Sequence, residues 1–323
     1  MVEEILPNLY KIEIPLPGSP LKALNSYLIK SQGRFLVIDT GMNREECMRE
    51  MVSSLERLDV DLNKTDFFIT HIHTDHLGLV ANLATETSTV YFNRQEASIT
   101  NSHSPWWQEL MALYHSNGFP EDELKKALES HPGYRYHLKC HVDFCILKEG
   151  DTIEIGDYCF RCIETPGHSP GHMCLYEANK KLLVSGDHIL FDITPNISLW
   201  SKENNPIKEY LASLDKVYAL EVNLVLPGHR SISTEHRKRI TELKHHHQTR
   251  VNEILSVLEE GEKNAFQIAS LISWDVDYSS WELFPSFQKW FAVGETLSHL
   301  KYLEEDGLVQ KKMKEHKIVF SLD

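Results

Sequence analysis

Cysteine is scarce in this chain, with only Cys47, Cys140, Cys145, Cys159, Cys162 and Cys174 among 323 residues. That is too few for a disulfide framework at this length and suits a reducing compartment. Cys159 and Cys162 form a CxxC within what reads as a strand, where positions three apart face opposite sides, so inert thiols are expected there. No apolar run approaches the ~18 residues of a membrane span, and no membrane contact is expected. The opening MVEEILP has no basic stretch, long apolar run or small-residue cleavage site, which gives a cytoplasmic address as the expectation. Positive charge is also short: 33 Lys and Arg against 47 Asp and Glu leave −14 with histidine neutral. Such a surface collects phosphate backbone poorly, so nucleic acid is disfavoured as a partner, although a local basic groove stays open. With 41% hydrophobic and 25% charged residues the composition is that of an ordinary soluble globule, and at ~150 residues per domain about two domains are expected.

The first part of the chain alternates between strand and helix. Strand patterns run from Leu9 to Pro15, Asn25 to Lys30, Phe35 to Ile38 and Asp66 to Thr70, with a helix from about Asn43 to Leu58. This is the start of a layered α/β fold. Residues 94–142 read as a helical insertion, with short helices at Arg94 to Thr100, Trp106 to His115 and Glu121 to Ser130, punctuated by Pro105, Gly118 and Pro120. Strands return from Phe144 to Val184, followed by a helix at Ile207 to Tyr218 and a last strand at Asn223 to Leu226. Residues 1–232 are therefore expected to form one domain. Residues 233–262 form a connecting helix capped by Ser233, with Ile240, Leu243, His247, Val251, Ile254 and Leu258 on one face. Residues 263–323 read as three short helices (Ala265 to Leu271, Trp281 to Phe287, Gly294 to Asp306) and a hairpin, the order of a winged-helix module.

Eighteen histidines are the chain's surplus, and their placement carries the chemistry. The strand ending at Thr70 runs into His71-Ile72-His73-Thr74-Asp75-His76, an HxHxDH array expected by chance only about 0.003 times in such a composition. His71 and His73 are two apart in extended backbone and point the same way, and the turn after them brings Asp75 and His76 round from another side. Three weaker signals share a form, a ligand-type residue in a Gly-rich turn just past a strand: TPGHSPGH with His168 and His172, SGDH with Asp187 and His188, and PGH with His229. Imidazole nitrogens and carboxylate oxygens suit zinc and related divalent ions, and a shared carboxylate can hold a pair.

This order of motifs, running through His229, resembles the metallo-β-lactamase superfamily in its glyoxalase II-like form, with Asp instead of Cys at the bridging position. The resemblance implies an α/β fold, an αββα sandwich with the site at the edge of two packed sheets. It implies one metal on His71, His73 and His168, a second on Asp75, His76 and His229, and Asp187 between them. Asp39 in Asp39-Thr40-Gly41 is then a supporting residue, as are His172 and His188 beside the ligands. Two divalent ions per chain are expected, zinc first, with iron or manganese as alternatives. The resemblance further implies a bridging hydroxide as nucleophile, with Asp75 orienting it as the catalytic carboxylate.

The winged-helix order adds a second resemblance, to the lactamase-like endoribonuclease family. Charge argues the other way: residues 263–323 hold seven Lys and Arg against nine acids, and the third helix carries Glu295, Glu304, Glu305 and Asp306 with one lysine. A structural or dimerising role is expected for this segment, with the Lys311 to Lys317 wing as the one basic cluster. The insertion, with Arg94, Lys125, Lys126, Arg135 and Lys139 against six acids, offers no basic stripe either. Its Trp106, Trp107, Leu110, Met111, Leu113 and Tyr114 either pack on the sandwich or wall an apolar pocket over the metals. Trp106, Trp107, His188, Thr194 and Asn196 are the candidate pocket residues. The function expected is a dinuclear hydrolase of a small-molecule thioester, ester or lactone, with a homodimer as the assembly if there is one. The alternatives are a ribonuclease or phosphodiesterase, and a mononuclear iron enzyme resembling persulfide dioxygenases. Because every assigned ligand precedes residue 230, removal of the chain after Gly261 is expected to spare hydrolysis.

Overall fold

A computed structural model describes residues 1–101, 106–138, 141–276 and 278–323; Pro105, Lys139 and Cys140, named above, lie outside the described residues. Seven strands form the first sheet in chain order: β1 (Val2–Leu6), β2 (Leu9–Pro15), β3 (Ala23–Lys30), β4 (Phe35–Ile38), β5 (Thr65–Phe68), β6 (Val90–Asn93) and β7 (Phe144–Leu147). Pairing is antiparallel up to β4 and parallel from β4 to β7. The second sheet has the order β12-β11-β10-β9-β8, from β8 (Thr152–Ile155), β9 (Tyr158–Glu164), β10 (Met173–Glu177), β11 (Leu182–Gly186) and β12 (Leu224–Pro227).

Period-two alternation decides which side chains meet between the sheets. Tyr27, Ile29, Leu36, Ile38 and Phe68 from the first sheet share a buried cluster with Phe160, Cys162, Leu175, Val184 and Leu226 from the second. The intervening residues face outward. Leu24, Leu28, Val37 and Phe67 meet Cys47, Met51 and Leu55 of α1 (Glu45–Arg57). On the other side Ile163, Cys174 and Leu183 meet Ile207, Tyr210 and Leu214 of α8 (Pro206–Tyr218). The layers are therefore helix, sheet, sheet, helix. Cys162 is buried between the sheets while Cys159 is exposed, as expected for CxxC in a strand.

In chain order between β5 and β7 come α2 (Thr74–Leu77), α3 (Val80–Leu83), α4 (Arg94–Asn101), α5 (Trp106–Ser116), α6 (Glu121–Ser130) and α7 (Pro132–Arg135). After them come α9 (His236–Glu259), α10 (Ala265–Leu271), α11 (Ser286–Glu305) and the hairpin of β13 (Val309–Lys314) with β14 (Lys317–Leu322). The helix expected to start at Gly294 is instead the second half of α11. Gly294 stands mid-helix because a Cβ there would lie 2.3 Å from the Tyr114 hydroxyl and 2.6 Å from Ser198 Oγ, so this glycine marks close packing. Trp281–Leu283 is only a 3₁₀ turn, and the N-cap of α9 is Glu235, not Ser233.

The insertion packs on the C-terminal segment. Leu110, Leu113, Tyr114, Phe119, Leu124 and Ala127 share one buried cluster with Val251, Ile268, Trp290, Val293, Leu300 and Phe320. The buried face of α9 joins this cluster to the sandwich: Ile240 and Leu243 belong to the second sheet's outer layer, Val251, Ile254 and Leu258 to the insertion's core. Removal of everything after Gly261 would uncover that apolar surface.

Candidate metal centre

Every candidate ligand lies where a strand ends. His71, His73, Asp75 and His76 follow β5, His168 follows β9, Asp187 follows β11 and His229 follows β12. This common strand-end placement converges seven side chains from four chain segments. His71 Nε2 lies 2.9 Å from His73 Nδ1 and 3.3 Å from His168 Nε2, and the latter two nitrogens are 2.9 Å apart. On the other side His229 Nε2 is 3.3 Å from His76 Nε2 and 3.4 Å from Asp75 Oδ2. Asp187 stands between the groups, with Oδ2 3.6 Å from His168 and 3.4 Å from His229, and Oδ1 3.5 Å from His76.

These separations fit cations. Nitrogens ~2.0–2.1 Å from a tetrahedral ion lie roughly 3.3 Å from one another. Asp187 Oδ1 is buried without a hydrogen-bond partner, an orphan that an ion would satisfy. The chain also leaves room for it: a Cβ on Gly228 would come within 2.5 Å of Asp187 Oδ1, which accounts for the glycine of PGH.

The electrostatics divide the cluster. Burial, reinforced by neighbouring imidazoles, holds His71 well below its usual range and pushes His73 down to about 3. Those rings are neutral and offer lone pairs. Burial also opposes charge on His76 and His229, but Asp39 and Asp187 outweigh it at His76, and Asp187 with Asp75 lifts His229 to about 10. Asp75 and Asp187 are themselves kept ionised below the carboxylate range by His229 and His76, against the opposing effect of burial. A divalent cation would meet the field that now raises the imidazoles' proton affinity.

Outer hydrogen bonds fix the rings. His76 Nδ1 bonds Asp39 Oδ2 at 2.7 Å, and Asp39 also accepts from the Thr70 backbone N–H and hydroxyl; it supports a candidate ligand, as expected. His168 Nδ1 bonds the Asn196 carbonyl at 2.9 Å and His229 Nδ1 the Ala23 carbonyl at 2.7 Å. His172 Nε2 accepts the Asp187 N–H at 3.1 Å while its Nδ1 meets Thr165 Oγ1 at 2.8 Å. His172 thus positions Asp187.

A cavity of about 620 Å³ opens beside His73 and His168, bounded by the insertion, the loop at Asn196 and α11. Asn196, Trp106 and Trp107 line it as expected, whereas His188 and Thr194 do not. His188 immediately follows Asp187 and its ring packs behind the site against Tyr210, centroids 5.3 Å apart; Thr194 is exposed. Of the two expectations for the insertion's apolar residues the pocket wall holds, since Trp106, Trp107, Leu110 and Tyr114 line the cavity, and they pack on α11 and not on the sandwich alone.

Four residues escaped the sequence. Trp200 stacks on His73 (5.5 Å, 28°) and donates from its indole to the His168 carbonyl. Glu96, fully buried, accepts the backbone N–H of Ile72 and, at 2.6 Å, that of Gly171, tying the HxH turn to the turn carrying His168. Glu295 accepts from Asn196 Nδ2 at 3.0 Å and is buried next to Arg250. Trp290 from α11 lines the cavity. No local pattern announces any of them.

The profile of the metallo-β-lactamase superfamily matches residues 21–229. The chain belongs to that superfamily. A probable metallo-hydrolase of Bacillus subtilis, YqjP, is 25% identical over 88% of this chain and 88% of its own. The bovine acyl-coenzyme A thioesterase MBLAC2 is 25% identical over 64% of this chain and 72% of its own. Among solved structures, a metallo-β-lactamase family protein of Thermus thermophilus superposes with a TM-score of 0.83 at 27% identity, covering 99% of this chain and 100% of that one. A β-lactamase domain protein of Burkholderia ambifaria gives 0.84 at 25%, covering 100% and 94%. Membership and the His/Asp cluster together imply divalent metal ions and hydrolase chemistry. Among the described residues no helix is long and apolar enough to cross a membrane.

Proposed function

We propose that this superfamily hydrolase holds two divalent ions, zinc foremost, and cleaves the carbonyl–heteroatom bond of a small thioester, ester or lactone. The observation that carries the choice of substrate is the cavity beside His73 and His168, whose described lining contains no Lys, Arg, Asp or Glu. Beyond the linkage held at the metals, a polynucleotide carries a charge on each flanking phosphodiester that this lining does not meet; a carboxylic thioester or ester linkage is neutral. The thioesterase activity in the name of bovine MBLAC2 supports the same reading. One ion would sit with His71, His73 and His168, the other with Asp75, His76 and His229, sharing Asp187. Bound there, such ions supply Lewis acidity towards a carbonyl oxygen and an activated water near neutral pH. The chain's own contribution is to hold Asp75 as an ionised proton acceptor, to fix the ligand rings through Asp39, Asn196 and Ala23, and to exclude bulk water with Trp200 and Trp106.

Residues 263–323 hold α10, a 3₁₀ turn, α11 and the β13–β14 hairpin, and their role is proposed to be structural. The wing lysines support this: Lys311 pairs with Glu304 at 2.8 Å, and Lys312 and Lys314 both pair with Glu262. A panel of thioesters, esters, lactones and short single-stranded RNA, assayed with the zinc-loaded full chain, tests the proposal. Turnover of a carbonyl substrate and none of RNA is expected. RNA cleavage at physiological salt, lost when Lys311, Lys312, Lys314 and Lys317 become Glu with metal retained, would overturn it.

A further inference from the structure

The cavity has a built polar point that hydrolysis does not use. Its described lining holds no Lys, Arg, Asp or Glu and is rich in aromatic rings, and at about 620 Å³ it falls within the ~300–1,000 Å³ of drug-sized ligand sites. Stacked rings lead inward from the metal centre: Trp200 lies on His73, and Trp106 lies on Trp200 at 5.5 Å and 27°. At another wall His131 is boxed by Trp107, Trp290 and Phe291, with ring centroids 5.1, 5.4 and 5.1 Å away.

His131 Nδ1 accepts the Gly133 backbone N–H at 3.0 Å, so in the neutral ring the proton sits on Nε2. Burial pushes this imidazole down to about 4, which keeps it neutral near pH 7. No acceptor for Nε2–H is found among the described residues. His131 is half-buried at the cavity wall, so a ligand that covers this donor binds better if it brings an acceptor of its own.

We propose that this cavity receives an extended, uncharged, apolar acyl group that carries one hydrogen-bond acceptor, with the carbonyl to be attacked near His73 and His168 and the acceptor at His131. The apolar length and the acceptor are separate requirements. Burial of methylenes among Trp106, Trp107 and Leu110 contributes roughly three- to fourfold in affinity per carbon, and a site built to donate a hydrogen bond discriminates against the analogue that lacks the acceptor. An anionic tail finds no counter-charge in the lining. The inference rests on the hydrolase reading only for which end of the ligand carries the reacting carbonyl.

Binding can be read without turnover, because four of the six tryptophans (Trp106, Trp107, Trp200, Trp290) line the cavity. Intrinsic fluorescence of the zinc-loaded full chain would be titrated with butanamide, dodecanamide and a positional series of oxododecanamides, in wild type, His131→Phe and His131→Gln. Dodecanamide should bind at least about a hundredfold more tightly than butanamide. One oxo position should bind about tenfold more tightly than dodecanamide, an advantage that His131→Phe abolishes while dodecanamide affinity stays within about threefold. The wild-type comparison stands on its own if the phenylalanine variant fails to fold, and His131→Gln, which retains an N–H donor, should keep part of the preference. Equal binding of the two amides, no favoured oxo position, or a preference unchanged in a folded His131→Phe would overturn the proposal. A protein that binds as expected yet cleaves no ester, thioester or lactone refutes the hydrolase reading alone; one that cleaves them without regard to chain length or acceptor refutes the cavity assignment alone.

Discussion

Replacement of Glu96 tests whether the two halves of the metal centre are held by one buried carboxylate. Glu96 accepts the N–H of Ile72, between His71 and His73, and that of Gly171, three residues beyond His168. The turns are pressed together so closely that a Cβ on Gly171 would lie 2.3 Å from Asn93 Oδ1 and 2.7 Å from Glu96 Cγ. Glu96→Ala strands both donors, one fully buried and one partly so. At ~1–3 kcal/mol for each unsatisfied buried group, the loss is about 2–5 kcal/mol. Glu96→Gln keeps one acceptor oxygen and should lose roughly half as much. The pH dependence gives a second readout. Burial pushes the Glu96 carboxyl up from about 4.5 to about 7, against the two N–H groups that favour its ionised form. Its folded-state pKa thus exceeds the unfolded one, and the folded chain keeps a proton that the unfolded chain releases. Wild type therefore loses stability relative to Glu96→Gln as pH rises from about 4.5 to about 7, by up to about 3 kcal/mol, with no further change above that window. Urea unfolding of chelator-treated wild type, Glu96→Ala and Glu96→Gln across pH 4.5 to 8 measures both effects. Glu96→Ala within about 0.5 kcal/mol of wild type, or a wild-type-to-glutamine difference flat across pH, would refute the reasoning.

Trp290 is 3% exposed and stacks on Tyr114 at 4.3 Å, so Trp290→Ala should destabilise the chain by ~3–5 kcal/mol and enlarge the cavity, as read by urea unfolding and by binding of an apolar fluorophore. Asp75→Asn should lower kcat far more than it raises KM, since on the proposed reading the carboxylate would serve the attacking water and not substrate binding; a near-normal kcat in steady-state assays would contradict this. Asp39→Asn, which disturbs the 2.7 Å bond to His76 Nδ1, should weaken metal binding about 10- to 100-fold in competition with a chromogenic chelator.

The sequence is informative wherever a role is set by local spacing. His71, His73, Asp75 and His76 sit within six residues; extended backbone turns His71 and His73 the same way, and the short helix α2 that follows carries Asp75 and His76. The strand-end histidines of TPGH and PGH and the Asp of SGD become legible once several such turns occur in order. Most strands and the insertion's helices also follow from their own periodicity, although β1 and the four-residue β6 do not. What stays hidden depends on long-range approach. Glu96 reads as an ordinary helical glutamate until β6 and the His168 turn enclose it. Trp200 stands in an irregular stretch with no period to place it. Glu295 counts as one more acid on a polar helix, yet the helix is buried nearly all round and that carboxylate reaches back to Asn196. Gly294 reads as a break and is a point of contact.

The central claim, two ions sharing Asp187, is tested most directly by elemental analysis of the purified full chain and of Asp187→Ala. The account predicts close to two divalent ions per wild-type chain and a clear loss in the variant. About one ion per chain, unchanged by Asp187→Ala, would contradict it.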